Sequence, residues 1–153
     1  IRDRNSGKEI SLPVMCQHCE DAPCVAVCHT GASFRREDGI VLVNKHTCIG
    51  CRYCMMACPY KARSFIHINL TGQRTHSPRG KGTVESCTFC VHRVDRDREP
   101  ACVEACTAAG HQALLFGDLS DNEGELAQRL GEVQTQQLRS DLGTNPGVHY
   151  HGL

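Results

Sequence analysis

Tryptophan is absent from the 153 residues, and four Phe and three Tyr make up the whole aromatic complement. Charge of one sign is lacking too: 17 Lys and Arg face 17 Asp and Glu. No global basic field argues for a nucleic-acid partner. No run of 18 or more apolar residues exists, so nothing in the sequence spans a membrane. No secretory leader is visible. The first residue is Ile rather than Met, which leads us to expect a chain that starts inside a longer product, with any N-terminal address lost from view. Also missing are a Ser/His/Asp set, paired carboxylates and a Gly-rich phosphate loop, so no catalytic residue is expected. A chain this poor in large apolar groups needs disulfides, metals or a partner to fold. What it has in excess is cysteine, 12 of 153 residues.

The cysteines form three groups of four: Cys16, Cys19, Cys24, Cys28; Cys48, Cys51, Cys54, Cys58; and Cys87, Cys90, Cys102, Cys106. The middle group, Cys48-Ile-Gly-Cys51-Arg-Tyr-Cys54-Met-Met-Ala-Cys58-Pro59, is the bacterial ferredoxin run for a [4Fe–4S] cluster. Three thiolates in a tight loop can grip three corners of one cube. Gly50 lets the backbone approach the sulfides. The fourth cysteine is expected to start a helical turn, point away and ligate the neighbouring cluster, with Pro59 ending that turn. The first group has two extra residues between Cys19 and Cys24, with His29 where Pro is usual. The third has a longer insertion between Cys90 and Cys102, with Thr107 where Pro is usual. Six disulfides and zinc ribbons are the competing readings; zinc is weighed as an alternative, in which the chain is a zinc-bound interaction module. A self-contained radical enzyme would need a large barrel that this length cannot build. The nine histidines show no metal-ligand helical spacing and read as loop or supporting residues.

Between the groups, Asp38-Gly39 sits between two short apolar runs and predicts a hairpin within residues 32–44. Residues 62–68 read as another strand. The fold class is therefore α+β: ferredoxin-like two-cluster repeats with hairpins and short helices, rich in loops. Four segments are expected: a two-cluster unit over 11–68, a polar, Gly-rich and basic surface loop over 69–83, a second, incomplete unit over 84–120, and a C-terminal helix and partner-binding tail over 121–153. Within them, Ala113 to Leu119 reads as a strand. Glu123 to Leu130 reads as a helix capped by Asp121 or Asn122. Beyond Gly131 the polar chain cannot make its own core; Leu138, Leu142, Val148 and Tyr150 would anchor it along a partner.

Five stretches carry a family resemblance: Cys16-Gln-His-Cys19-Glu-Asp-Ala-Pro-Cys24, Arg36-Glu-Asp-Gly-Ile-Val41, Cys48 through Tyr60, Cys87-Thr-Phe-Cys90-Val-His-Arg-Val94, and Pro100-Ala-Cys102-Val-Glu-Ala-Cys106. Over about residues 11–120 the chain resembles the four-cluster iron–sulfur subunits of the DMSO, tetrathionate, arsenate and polysulfide reductases and of the Dsr-type, NrfD-associated membrane complexes. That resemblance implies ligand sets. Cys16, Cys19, Cys24 and Cys58 would hold one [4Fe–4S] cluster, and Cys48, Cys51, Cys54 and Cys28 a second. Cys87, Cys90 and Cys102 would hold a third, with Cys106 reaching to a fourth cluster or closing the third. The family has four cysteine groups, so an N-terminal group is expected upstream of Ile1.

The resemblance also implies function. The chain would relay electrons between an NrfD-like, quinone-interacting membrane subunit and a molybdopterin catalytic or multihaem cytochrome subunit. It would sit peripherally on the membrane, on the periplasmic side rather than the cytoplasmic. Met55, Met56, Ile49 and Val25 would keep water off the clusters, and Arg52 and Arg93 could raise a nearby potential.

Overall fold

A computed structural model describes Gly7, Glu9 and residues 11–153; the Ile1 reading lies outside the described residues. Short elements follow one another along the chain. Helix α1 spans Pro23–Ala26, strand β1 Ser33–Arg35, strand β2 Val41–Val43, helix α2 Tyr53–Ala57, strand β3 Arg63–Phe65 and strand β4 Val84–Ser86. Helix α3 covers Val91–Val94, α4 Ala101–Ala108 and α5 Glu125–Glu132. Strand β5 (Thr135–Gln136), a 3₁₀ turn over Ser140–Leu142 and strand β6 (Tyr150–His151) complete the order. This is the mixed α+β architecture expected, with three two-stranded antiparallel sheets among the described residues.

The expected hairpin is β1–β2, with Ser33 opposite Val43 and Arg35 opposite Val41. Gly39 takes φ +88° at its turn, and the Asp38 side chain accepts the Ile40 N–H at 3.2 Å. The strand read over 62–68 is β3, which pairs with β4 across the 69–83 loop. That loop is exposed through most of its length and is closed by paired backbone bonds, Ile66 N–H to the Thr83 carbonyl and Gly82 N–H to the Ile66 carbonyl. Since β4 comes from the segment assigned to the second unit, the sheet ties 84–86 to the first. Each helix α1 and α2 is followed by a hairpin, so the helix–hairpin module repeats. The two helices pack together, and β2 lies beside β4.

The core is small. Cys24 and Cys54 join Val41 and Val84 at its centre, with Val25, Val27, Met55 and Phe65 packed around them. Two prospective ligands are thus core residues, which fits a chain short of large apolar side chains.

Three expectations are corrected. Ala113 to Leu119 forms no strand; the stretch is irregular and mostly exposed. It finds no strand to pair with, and its Phe116 ring instead meets Phe89 edge-on at 5.6 Å. The C-terminal helix begins at Glu125, two residues later than read, with Gly124 at its N-cap. Asp121 spends its side chain on a turn of its own, accepting the Glu123 N–H at 3.1 Å, so it does not cap the helix. The tail, finally, does find a core: β5 and β6 pair, and Tyr150 is buried against the chain's own first cysteine loop.

Candidate metal centres

Each of the first two cysteine groups is built around a short helix. Cys16 and Cys19 precede α1, Cys24 lies within it, and Cys28 falls two residues beyond its end. Cys48 and Cys51 precede α2, Cys54 lies within it, and Cys58 directly follows it. The expected helical start at the fourth cysteine is therefore wrong. Pro59 disfavours helical backbone in the residue before it, and Cys58 is extended at φ −74°, ψ 111°. In the third group Cys90 sits in the left-handed region at φ +50° before α3. Cys102 and Cys106 both lie on α4, four residues apart and so on one face.

The packing of α1 against α2 brings the groups together crosswise. The electrostatic neighbours of Cys24 include Cys58, Cys19 and Cys54. Cys19 also neighbours Cys58, and Cys16 neighbours Cys24. A second site is a pocket lined by Cys28, Cys48, Cys51 and Cys54 together with Val27, Ile49 and Gly50. In the third group Cys87 has Cys102 and Cys90 as neighbours. The Cys106 sulfur accepts the Ala113 N–H at 3.2 Å. All twelve cysteines are free thiols, which removes the disulfide reading.

Whether these residues fit iron–sulfur clusters can be judged from three features. The donors are sulfur throughout. Among the described residues no three His, Cys, Asp or Glu side chains converge as they would on one metal ion. Zinc draws its sulfurs to about 2.3 Å from a single point, whereas thiols spread around a pocket suit a larger inorganic core. The third feature is Arg63, only 6% exposed. Its Nη1 donates to the Ser33 hydroxyl at 2.7 Å, but Nε and Nη2 are buried without a hydrogen-bonded partner. Orphaned donors of this kind cost about 1–3 kcal/mol or more, and an anionic, sulfur-rich core beside them would remove that cost. The residues fit the group.

The local electrostatics agree. Burial pushes the Cys16 thiol up to about 11, and burial likewise raises Cys19, Cys24 and Cys87. Cys28 moves the other way: its slight burial is outweighed by hydrogen bonds from Ser33 and Thr30. Most of these thiols are therefore neutral without metal, and ligation must release their protons. For Arg63, burial alone would lower its pKa, but Cys24, Cys54 and Cys16 outweigh it once they are thiolates, and raise it.

Other expectations fare unevenly. Met55 and Val25 pack on the core, but Ile49 is 70% and Met56 66% exposed, so these two do not wall off water. Arg93 is engaged by the Glu104 carboxylate and by the Glu99 carbonyl, which offsets its charge. Arg52 lies over the Phe65 ring at 5.2 Å. Gly50, at φ +72°, admits a different neighbour than expected: a Cβ there would stand 2.2 Å from the Gly82 carbonyl oxygen. His18 is buried, accepts the Val41 N–H at Nδ1 at 2.9 Å, and stacks on Phe89 with ring centroids 4.0 Å apart. Burial and the nearby Arg63 hold it down at about 4, so it is a neutral packing residue between the first and third groups. Sequence reading missed Arg63, Gln17, Tyr60 and Thr144. For Arg63 a signal existed: it shares the inward face of β3 with Phe65 by the two-residue alternation of a strand.

Residues 8–118 match the family model described as a 4Fe–4S dicluster domain. Among curated proteins, the chain is 50% identical to the Hdr-like menaquinol oxidoreductase iron–sulfur subunit 1 of Archaeoglobus fulgidus, over 95% of this chain and 58% of the relative. It is 39% identical to a tetrathionate reductase subunit of Salmonella typhimurium, over 98% of this chain and 56% of the relative. It is 45% identical to protein NrfC of Escherichia coli, over 88% of this chain and 54% of the relative. The chain thus spans little more than half the length of these three curated relatives.

Proposed function

The chain belongs to the 4Fe–4S dicluster domain family, whose cofactor is the [4Fe–4S] cluster, and from that premise we propose that it is an electron-carrying subunit of a respiratory oxidoreductase complex. The observation that carries this reading is the crosswise grouping of thiols: Cys58 beside Cys19 and Cys24, and Cys28 on the pocket of Cys48, Cys51 and Cys54. Exchange of the fourth ligand is how two adjacent cubes share one fold. Cys16, Cys19, Cys24 and Cys58 hold one cluster and Cys28, Cys48, Cys51 and Cys54 a second. Cys87, Cys90 and Cys102 hold a third, and Cys106 closes it or serves a fourth.

When bound, a [4Fe–4S] cluster accepts and returns an electron. The remaining work belongs to the chain. The thiolates fix each cluster. Val25, Val27, Met55 and Phe65 exclude water from the first two, and Arg63 supplies a buried positive charge between Cys24 and Cys54. No substrate site of its own is needed for this role.

The partners we propose are a quinone-interacting, NrfD-like membrane subunit on one side and a molybdopterin catalytic or multihaem cytochrome subunit on the other. Supporting this, one relative is named as an iron–sulfur subunit of a menaquinol oxidoreductase and another as a subunit of tetrathionate reductase. Among the described residues no helix is long and apolar enough to cross a membrane; the place we propose, from the resemblance to membrane-complex subunits, is peripheral and on the periplasmic face. Replacing Cys51 by Ala tests the ligand assignment. The purified variant should lose iron and one cluster signal in low-temperature EPR; a stable variant with unchanged iron and spectrum overturns it. Colour separates the zinc alternative, since iron–sulfur protein is brown and bleaches on reduction whereas zinc protein is colourless.

A further inference from the structure

Each cysteine group opens with a Cys-x-x-Cys turn, and in all three the residue before the second cysteine has positive φ: His18 at 43°, Gly50 at 72° and Phe89 at 49°. Glycine is the residue this backbone favours. A ring there costs strain, more for Phe than for His. The turn at Gly50 has no room for a side chain, because the Gly82 carbonyl stands against it. The other two turns carry rings, and the rings meet. His18 and Phe89 stack with centroids 4.0 Å apart and planes 18° from parallel.

Both rings are held from outside the stack. His18 is 5% exposed, and its Nδ1 accepts the Val41 N–H at 2.9 Å, which ties the ring to the first hairpin. The tail holds the same loop: Gly147 N–H donates to the Gln17 carbonyl at 2.8 Å, and the N–H groups of Glu20 and Asp21 donate to the carbonyls of Asn145 and Thr144 at 2.9 and 3.2 Å. Phe89 meets Phe116 edge-on. The third loop is fastened at its start by β4, which ends at Ser86, directly before Cys87. One fastening leaves a loop free to turn about it, and a second fixes its orientation. The Arg36–Asp95 pair also spans the two units at 2.8 Å, but it is exposed, and exposed ion pairs contribute little. Strain kept at two positions that face each other points to a use for their contact.

We propose that the His18–Phe89 stack is the joint that seats the third group's cluster against the cluster of Cys16, Cys19, Cys24 and Cys58, and so fixes the gap an electron crosses between them. Both are positioning residues: neither holds iron and neither takes up the electron. Tunnelling weakens steeply with distance, so a relay needs its clusters at a set separation. The two ligand loops do face each other, since Cys87 is among the electrostatic neighbours of Cys16.

This rests on the ligand assignments made above. The test is low-temperature EPR of the fully reduced, cluster-loaded full chain. Paramagnetic clusters broaden and split each other's signals through a dipolar interaction that falls with the cube of distance. The part owed to the third cluster is the part that Cys87→Ala removes. Phe89→Gly suits the left-handed turn while deleting the ring. It should keep wild-type iron and every cluster signal, yet lose that part of the interaction; Phe89→Tyr should retain it. A wild-type interaction in iron-replete Phe89→Gly overturns the joint, as does a Phe89→Tyr that behaves like the glycine variant. Should Phe89→Gly fail to load the third cluster, His18→Gly decides by the same reading. Failure of both to load it also overturns the joint, because the rings would then serve cluster binding itself. Cys87→Ala separates the two readings: one cluster signal should vanish, and retention of all of them overturns the ligand assignment.

Discussion

Replacing Arg63 by Met should lower the midpoint potentials of the two clusters that flank it and leave the third group's cluster where it is. The guanidinium is buried, one nitrogen is committed to Ser33, and two meet no partner at hydrogen-bond geometry, the Cys54 thiol being the side chain that also engages the guanidinium. Its electrostatic neighbours, Cys24, Cys54 and Cys16, are ligands of both proposed clusters. Adding an electron adds negative charge, so a fixed buried cation favours the reduced state. A hydrogen bond to a charged group is worth about 1.5–3 kcal/mol net. Only the part gained on reduction moves a midpoint, so at about 1.36 kcal/mol per tenfold and about 59 mV per tenfold for one electron, removing one such bond lowers it by at most about 65–130 mV. Titration with EPR detection at two salt concentrations reads the effect. The shift should persist at high salt, because a buried charge is poorly screened. Arg63→Lys should recover part of it, since the charge returns without the planar fork. Unmoved midpoints in an iron-replete Arg63→Met, or a shift that Lys does not reduce, would refute the countercharge argument.

Three further outcomes follow from the same geometry. Gly50→Ala places a methyl 2.2 Å from the Gly82 carbonyl oxygen at a backbone of φ +72°. About 1–2 kcal/mol of left-handed strain comes before that clash, so purified Gly50→Ala should melt lower and carry less iron; wild-type values would contradict it. Stripping the clusters with chelator and oxidant should abolish the cooperative melt and expose the chain to protease, because Cys24 and Cys54 sit at the centre of a small core. A stripped chain with a sharp, unchanged transition would show that the core stands without metal. Tyr150→Phe removes a hydroxyl that bonds both Gln17 and Pro13. It should cost about 1–3 kcal/mol, seen as a lower melting temperature of the loaded protein and faster C-terminal proteolysis; if both stay at wild-type values, the tail's packing is refuted.

What the sequence revealed and what it hid divide along a physical line. Metal-ligand spacing is a local property, written within a dozen residues, so the three cysteine groups, the repeat and the α+β class were all legible. The Asp38-Gly39 hairpin was legible for the same reason, since its turn chemistry lies inside the turn. The Ala113 to Leu119 stretch misled because apolar content reports burial preference and says nothing of whether a pairing strand exists. Ile49 and Met56 misled because being near a ligand in sequence is not being inside: the short helix α2 turns Cys54 into the core and leaves Met56 out, and Ile49 is exposed on the loop before it. The tail and Arg63 stayed hidden for a third reason, because their meaning lies in contacts across long sequence separations. Gln17 meets Tyr150 133 residues away, and Tyr60 meets Thr144 84 residues away. The polar tail looked unable to find a core of its own, yet the surface it covers is itself polar: backbone carbonyls and N–H groups of a ligand loop that cannot form a helix or sheet without moving its cysteines. A loop shaped by metal leaves its backbone groups unpaired, and burying it requires a polar partner. The hydrophilic character of residues 137–150 is therefore what the site demands, and an apolar tail would leave the loop's donors and acceptors unmet.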